Sequence, residues 1–240
     1  MATTQFWDDQ NNKYAFKIAE PTDPIIQFFE KELPWQQLKS SFEVGCFPGG
    51  YLAYLGTKGL EINGVDLSDR IETELVPFYQ SKQLKVGTFQ HGDFFKMQPA
   101  NGFDVVCSFG FIEHFENWQA VVEKHINLLS ANGYLVITTP NFRGSFQNFF
   151  HRNFDLENYQ RHYIPSMDPQ LWKAFLEQKG MEVIKAGYFG KFDFWTEKVP
   201  PFLKHLIVAV LVRLKPLLAK FIPAGSESYS PYCGIIARKK

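Results

Sequence analysis

One stretch of the chain, residues 41–55, constrains the fold more than any other. Its sequence is SFEVGCFPGGYLAYL, in which a strand-like apolar segment enters a turn containing Gly45, Gly49 and Gly50 and leaves it as a helix. Glycine frees the backbone for a tight turn, and the first amides of the helix that follows face that turn. The stretch therefore predicts a βα unit with a nucleotide-like ligand at the turn.

A second apolar run ends in an acidic residue 21 positions after Gly45. The run is INGVD, residues 62–66, and it closes at Asp66. A carboxylate at the end of the second strand of such a fold can accept hydrogen bonds from both hydroxyls of a ribose. The turn and Asp66 together suit either a nucleoside cofactor or a dinucleotide.

Five segments, taken in order and with their spacing, resemble the class I S-adenosylmethionine-dependent methyltransferases. They are EVGC at 43–46, GVDLS at 64–68, GDF at 92–94, FDVVCSFGFIEH at 103–114 and GYLVITTPN at 133–141. The resemblance implies S-adenosylmethionine as cofactor and an α/β, Rossmann-like sheet of seven strands in the order 3-2-1-4-5-7-6. It also implies that strand 7 is antiparallel, that helices cover both faces, and that a helical insertion lies between strands 6 and 7.

The resemblance also assigns the cofactor contacts. Asp66 would bind the ribose, while the Asp93 carboxylate and the Phe94 amide would bind the adenine. The expected cofactor-binding residues lie in the N-terminal leader and at the ends of the first four strands: Tyr14, Glu43, Gly45, Cys46, Gly49, Gly50, Asp66, Leu67, Asp93, Phe94, Phe109 and Gly110.

The glycine turn departs from the family pattern at one position. The family has a second glycine two residues after the first, and here Phe47 occupies that place and is followed by Pro48. A phenylalanine avoids positive φ, and proline has no amide to donate. We therefore expect the closest approach of the backbone to the cofactor to shift to Gly49 and Gly50.

Two histidines are the candidate catalytic residues. A histidine that titrates near neutral pH can take the proton that an oxygen or amine acceptor must lose. His114 follows strand four, and His162 stands in the segment RHY at 161–163; such segments are similar to those of ubiquinone-biosynthesis methyltransferases. Glu113 is expected to face outward or to cap the next helix. His125 lies on the apolar stripe of a predicted helix over 117–129 and is expected in the core.

Motifs that are absent after strand four exclude some classes of methyl acceptor. The segment 103–114 contains neither NPPY nor DPPY, with which related enzymes hold an amino group on adenine or glutamine. It has Cys107-Ser108 where the metal-dependent catechol enzymes have an acid, and no Cys or His pair has zinc-ligand spacing. We predict metal-independent methylation, at oxygen, of a small-molecule, glycan-like or lipid-linked acceptor.

Two other functions compete with this one. An NAD-dependent oxidoreductase would also use a glycine turn and Asp66, but GCFPGG at 45–50 lacks the spacing G-x-G-x-x-G. A methyltransferase fold that binds the cofactor without catalysis would act as a partner or regulator. Phe47 at the glycine position favours that alternative.

Composition bounds the organisation of the chain. At 240 residues with a formal net charge of zero, it is expected to form one soluble domain over 1–240 with no nucleic-acid partner. The three cysteines are expected to be free thiols. The N-terminus lacks the pattern of a signal peptide, which favours the cytoplasm. The oligomeric state is left open.

Three segments have alternative roles. Residues 1–40 form a lid over the cofactor or a helix that flanks the sheet, and residues 141–167 form an acceptor cap or a merely packed excursion. Residues 200–223 predict a basic amphipathic helix, with no acid from 198 to 226. That helix is expected to cover its own core, to pair with a second subunit, or to lie in a membrane interface without spanning it.

Overall fold

The structure, a computed structural model, describes residues 15–97, 102–197 and 202–240. A seven-stranded sheet has the order β3-β2-β1-β4-β5-β7-β6. All neighbouring strands are parallel except β7, which is antiparallel to both β5 and β6. The predicted fold class is thereby confirmed. The strands are Ser40–Val44 (β1), Glu61–Asp66 (β2), Val86–His91 (β3), Phe103–Phe109 (β4), Leu129–Pro140 (β5), Glu182–Phe189 (β6) and Tyr232–Arg238 (β7).

Helices surround the sheet, and side-chain caps begin three of them. Asp23 and Asp168 each accept a hydrogen bond from the amide of the second residue of their helix, which in both cases follows a proline. Asn117 caps a third helix by accepting from the amide of Ala120. The helices are Pro24–Phe29 (α1), Gly50–Thr57 (α2), Val76–Ser81 (α3), Trp118–Leu128 (α4), Ser145–Phe154 (α5), Leu156–Gln160 (α6), Pro169–Gln178 (α7) and Phe202–Phe221 (α8).

The two faces of the sheet carry separate apolar cores. Side chains alternate along a strand, so that Leu135 of β5 belongs to one core and Val136 to the other. Trp118 of α4 and Trp172 of α7 cover the first face. Leu52 of α2 helps to cover the second. Both faces are closed, so the open carboxyl edge of the parallel strands is where the candidate site lies.

The segment 141–167 is more regular than a loop. It contains α5, α6 and a short 3-10 turn at Ile164–Ser166. Phe142 and Phe150 are buried, whereas Phe149 is 62% exposed. Its role as an acceptor cap stays a prediction, as do the lid assigned to residues 1–40 and the single-domain organisation.

Helix α8 lies in the predicted insertion between β6 and β7. Part of its surface packs on Phe150, Phe192 and Phe194. Other apolar side chains of the helix are exposed: Leu206, Ile207, Val210, Val212, Leu214, Leu217 and Phe221. Within the described ranges, no helix is both long enough and apolar enough to cross a membrane.

Candidate active site

The turn after β1 is tied to the end of β2. Gly45 adopts φ +73°, and the amides of Gly45 and Cys46 donate to the Val65 carbonyl at 2.9 and 3.2 Å. The Asp66 carboxylate accepts from the amides of Phe47 at 3.1 Å and Ser68 at 2.9 Å. The structure thus brings together the turn and the predicted ribose acid. Leu67, the next residue, is 44% exposed.

Gly49 and Gly50 are glycines for a packing reason. A Cβ on Gly49, which has φ +77°, would lie 1.9 Å from the Tyr79 hydroxyl, and a Cβ on Gly50 would lie 2.9 Å from the Lys17 carbonyl oxygen. The Tyr79 hydroxyl also donates to the Gly49 carbonyl at 3.0 Å. These contacts alone account for glycine at both positions, and contact with the cofactor stays a prediction.

Glu43 and Cys46 are buried beneath the turn. Glu43 is 4% exposed, and its Oε2 has no hydrogen-bond partner among the described residues. Burial, together with the nearby charge of Asp66, raises the pKa of Glu43 well above its usual value. The thiol of Cys46 is fully buried against Gly64, so its backbone, rather than its side chain, lines the turn.

The predicted adenine residues follow β3. The Asp93 carboxylate accepts from the amide of Phe95 at 2.8 Å. The ring of Phe94 is 4% exposed and packs edge-on to His125, with 5.1 Å between the centroids. Asp93 therefore lies at the surface of the loop, while Phe94 anchors the loop to the core.

Phe109 and Gly110 end β4 at the same edge of the sheet. The ring of Phe109 lies 4.8 Å from that of Tyr51. Gly110 has φ +77°, and its amide donates to the Thr138 carbonyl at 2.9 Å. A Cβ on Gly110 would lie 3.4 Å from Glu113 Oε1, so this turn brings the backbone close to Glu113. Tyr14, the remaining predicted cofactor residue, lies outside the described residues.

These residues fit S-adenosylmethionine. The buried Oε2 of Glu43, which has no partner among the described residues, suits a ligand with a hydrogen-bond donor, and the rim carboxylate of Asp66 suits one with hydroxyl donors. The amides of Gly45, Cys46 and Phe47 already have carbonyl or carboxylate partners, so in this first part of the turn the side chains, more than the backbone, would supply the polar contacts.

The two candidate catalytic histidines meet, although they are far apart in sequence. The rings of His114 and His162 lie 4.7 Å apart. His114 Nδ1 is 3.2 Å from the Arg161 carbonyl oxygen, and His162 Nδ1 is 2.7 Å from that of Asn158. Carbonyl oxygens only accept, so each Nδ1 carries the proton and each Nε2 has the lone pair of a neutral imidazole.

Both imidazoles are neutral at pH 7. Burial lowers the pKa of His114 to about 4. Burial, with a further contribution from the charge of His114, lowers the pKa of His162 to about 3. The pair therefore offers two neutral proton acceptors at the carboxyl edge of β4, but their pKa values lie below the near-neutral range expected from the sequence, so each imidazole is a weaker base than expected.

Glu113 is the residue that the sequence led us to misplace. It neither faces outward nor caps α4: it is 1% exposed, its Oε2 has no partner among the described residues, and Asn117 provides the cap. Burial raises the pKa of Glu113 to about 8, so the carboxyl group is largely protonated at pH 7. Glu113 lies between Ile112 and His114 in a largely apolar segment, and this position is the feature of the sequence that predicts a buried side chain.

Glu113, His114 and His162 form a compact cluster. One donor atom from each lies within 4.8 Å of the others. The Tyr163 amide donates to the Glu113 carbonyl at 2.7 Å, which joins the two loops that supply the cluster. A carboxylate and two imidazoles are also a donor set that divalent cations accept. His125 is not part of the cluster: it is fully buried and Nδ1 donates to the Val121 carbonyl at 2.8 Å, as expected for a core residue.

Comparison with known proteins identifies the family. A family model described as a methyltransferase domain matches residues 14–186. No curated protein sequence matches the chain. The chain belongs to this family of methyltransferase domains, and its fold is that of an S-adenosylmethionine-dependent methyltransferase.

Solved structures agree with that fold at low sequence identity. A SAM-dependent methyltransferase from Archaeoglobus fulgidus is 18% identical with TM-score 0.57, over 88% of this chain and 91% of that one. An S-adenosylmethionine-dependent methyltransferase from Mesorhizobium loti is 13% identical with TM-score 0.59, over 91% and 99%. The plantazolicin methyltransferase BpumL, in complex with SAH, is 16% identical with TM-score 0.53, over 91% and 92%.

The family assignment decides between two of the hypotheses. An NAD-dependent oxidoreductase is excluded, because the matched family transfers methyl groups. The resemblance to the ubiquinone-biosynthesis branch and the roles of individual site residues stay predictions.

Proposed function

We propose that the protein methylates an oxygen atom of a small-molecule acceptor, a class that includes glycan-like and lipid-linked molecules. The observation that carries this proposal is the pair of neutral imidazoles, His114 and His162, at the carboxyl edge of β4. A hydroxyl acceptor must lose a proton as its oxygen is methylated, and a positioned neutral imidazole can take that proton. Nitrogen and carbon acceptors are less favoured.

The cofactor, when bound, supplies a methyl group already activated by the positive sulfonium. The protein has three remaining tasks: Asp66 holds the ribose, the segment at Asp93 and Phe94 holds the adenine, and the histidine pair orients the acceptor and receives its proton. Alignment of the acceptor supplies much of the rate enhancement. Protonated Glu113 would donate a hydrogen bond to the acceptor or to one of the histidines.

The acceptor would lie between the histidines and the cap formed by residues 141–167. Phe142 packs edge-on against His162, with 5.0 Å between the ring centroids, and lies 3.9 Å from the ring of His151. Trp195 packs on His151 from another side, at 5.4 Å. Aromatic side chains next to the proton acceptors favour a substrate with a ring or sugar face.

Transfer of labelled methyl from S-adenosylmethionine into a cell extract, followed by partition, tests the proposal. Label in the organic phase would identify a lipid or lipid-linked acceptor, and label in the aqueous phase a free metabolite or sugar. Tandem mass spectrometry of the product that places the labelled methyl group on oxygen supports O-methylation. Label confined to macromolecules would contradict a small-molecule acceptor.

The cluster of Glu113, His114 and His162 by itself favours a second mechanism, in which a metal ion assists methyl transfer. Because Glu113, His114 and His162 bring three donor atoms within 4.8 Å, they would bind a divalent cation that polarises the acceptor hydroxyl. Our proposal remains metal-independent transfer. Activity that is lost on dialysis against a chelator, and restored by one divalent metal, would replace it.

A silent cofactor-binding module remains the alternative to catalysis. It would bind S-adenosylmethionine tightly and transfer no methyl to any fraction of the extract. Substitution of His114 and His162 would leave this behaviour unchanged.

We further propose that the protein acts in the cytoplasm and without a nucleic-acid partner. Peripheral membrane contact through residues 202–222 is proposed on separate grounds, the exposed face of α8.

A further inference from the structure

Helix α8 presents an exposed apolar stripe. Its members follow one another at spacings of three and four residues, so they form a line along the helix. Each of them is between 43% and 78% exposed: Ile207, Val210, Leu214, Leu217 and Phe221. At 1.5 Å per residue the line is about 21 Å long. Continuous exposed apolar surface of this kind marks a contact with a partner or a membrane.

Another face of α8 attaches the helix to the protein. Leu211 and Leu218 belong to the cluster formed around Phe150 and Phe194. Polar contacts add to this attachment: the Lys204 ammonium donates to the Asn153 carbonyl at 2.6 Å, and Lys215 pairs with Asp193. The stripe is therefore displayed by a helix whose orientation is fixed by its other side.

The charge around the stripe has one sign. Residues 198–226 contain no acid. Arg213 and Lys220 are exposed, and on a helical projection they border the stripe on the side of Leu217. Pairing of two copies through this stripe would bring their cations together without acids on the helix to compensate them. An anionic surface compensates them directly.

We propose that the stripe is a peripheral docking surface for an anionic lipid bilayer. The apolar side chains would enter the boundary between headgroups and acyl chains, while Arg213 and Lys220 meet the anionic headgroups. Because α8 packs against α5, docking would place the segment 141–167 next to the lipid. The docking surface does not depend on which acceptor is methylated.

Flotation of the full chain with lipid vesicles tests this proposal. We expect the wild type to float with vesicles of phosphatidylcholine and phosphatidylglycerol, and not with phosphatidylcholine alone. Val210→Glu should lower the bound fraction about tenfold or more, since it places a carboxylate in the stripe. Val212→Glu is the matched control: Val212 is 48% exposed on the same helix but lies outside the stripe, and its variant makes the same change of charge.

Several results would overturn it. These are no flotation of the wild type, equal loss in the two variants, or flotation that is the same with neutral vesicles. A lipid-free dimer in sedimentation velocity that Val210→Glu abolishes would assign the stripe to a second copy. Melting temperature and S-adenosylmethionine affinity, measured without lipid, should be unchanged in both variants, which separates failure of docking from failure of the fold or of the proposed methyl transfer.

Discussion

The carboxylate of Asp66 accepts a hydrogen bond from the backbone amide of Phe47, 3.1 Å away in the turn that follows β1. Its other oxygen accepts from the Ser68 amide at 2.9 Å. Asp66, which is predicted to bind the ribose, therefore also stabilises the turn. Phe47, the residue that departs from the family pattern, is tied to the site through its amide.

Replacing Asp66 by Asn should weaken cofactor binding. The amide side chain keeps one acceptor oxygen and loses the charge, so one of the two backbone amides and the ribose lose their partner. Charge-assisted hydrogen bonds contribute about 1.5–3 kcal/mol, so we expect the affinity for S-adenosylmethionine in titration calorimetry to fall about tenfold or more.

Asp104→Asn is the matched control for this change. The Asp104 carboxylate also accepts from two backbone amides, of Lys39 at 2.7 Å and Ser40 at 3.2 Å, but at the opposite edge of the sheet. We expect it to lower stability without changing cofactor affinity. Equal affinities of the two variants would remove Asp66 from the cofactor site.

Substitution of either catalytic candidate should lower kcat. In His114→Asn and His162→Asn the neutral acceptor nitrogen is lost, and general base catalysis contributes about 100-fold or more. S-adenosylmethionine affinity should stay within about twofold, because neither residue is placed in the cofactor contacts. His205→Asn, on the exposed face of α8, is the control. If one of these variants has a normal kcat, the histidine that it replaces is not the proton acceptor.

The fully buried His125 predicts how stability depends on pH. Burial lowers its pKa to about 4, whereas an unfolded histidine titrates near 6.5. Between these values the unfolded chain binds a proton that the folded chain does not, so the free energy of unfolding falls as the pH falls through this window. The contribution is about 1.4 kcal/mol per pH unit.

His125→Leu should remove that contribution. Urea unfolding of both proteins at several pH values between 4.5 and 7 measures it, and the difference between wild type and variant should change steadily with pH. His205→Leu, a change of the same kind at an exposed residue, should leave the pH dependence as it is in the wild type. A pH-independent difference for His125→Leu would show that the pKa of His125 is not lowered by folding.

Alanine substitutions at two glycines with positive φ distinguish the cost of a steric conflict from the cost of backbone strain. Gly49 and Gly59 have φ +77° and +92°, but a Cβ on Gly49 meets the Tyr79 hydroxyl at 1.9 Å, while a Cβ on Gly59 has nothing within 4 Å. Gly59→Ala should cost about 1–2 kcal/mol through strain alone. Gly49→Ala should cost clearly more in the free energy of unfolding.

The double variant Gly49→Ala/Tyr79→Phe tests whether the Tyr79 hydroxyl causes the larger loss of stability in Gly49→Ala. Removing the hydroxyl leaves Leu75 Cδ1 at 2.7 Å and the Tyr79 ring carbon at 2.9 Å from the new Cβ, so stability should recover only in part. Equal costs for Gly49→Ala and Gly59→Ala would mean that the packing around Gly49 gives way at little cost.

Local patterns in the sequence determined much of this protein. The resemblance of five segments, taken in order, to a known family predicted the sheet, and helical spacing predicted a buried His125. Each of these depends on residues close together in the chain or on the order of segments. Helical periodicity was sufficient to predict the buried His125, whereas the order of the strands followed from the resemblance to a known family.

Tertiary structure alone decided the surroundings of single side chains. Glu113 is joined through its carbonyl to the amide of Tyr163, 50 positions away, and Gly49 is confined by Tyr79, 30 positions away. The apolar half of α8 was evident in the sequence, but the face that meets the protein was not. Which partner covers a side chain depends on segments that folding brings together, and no local pattern contains that information.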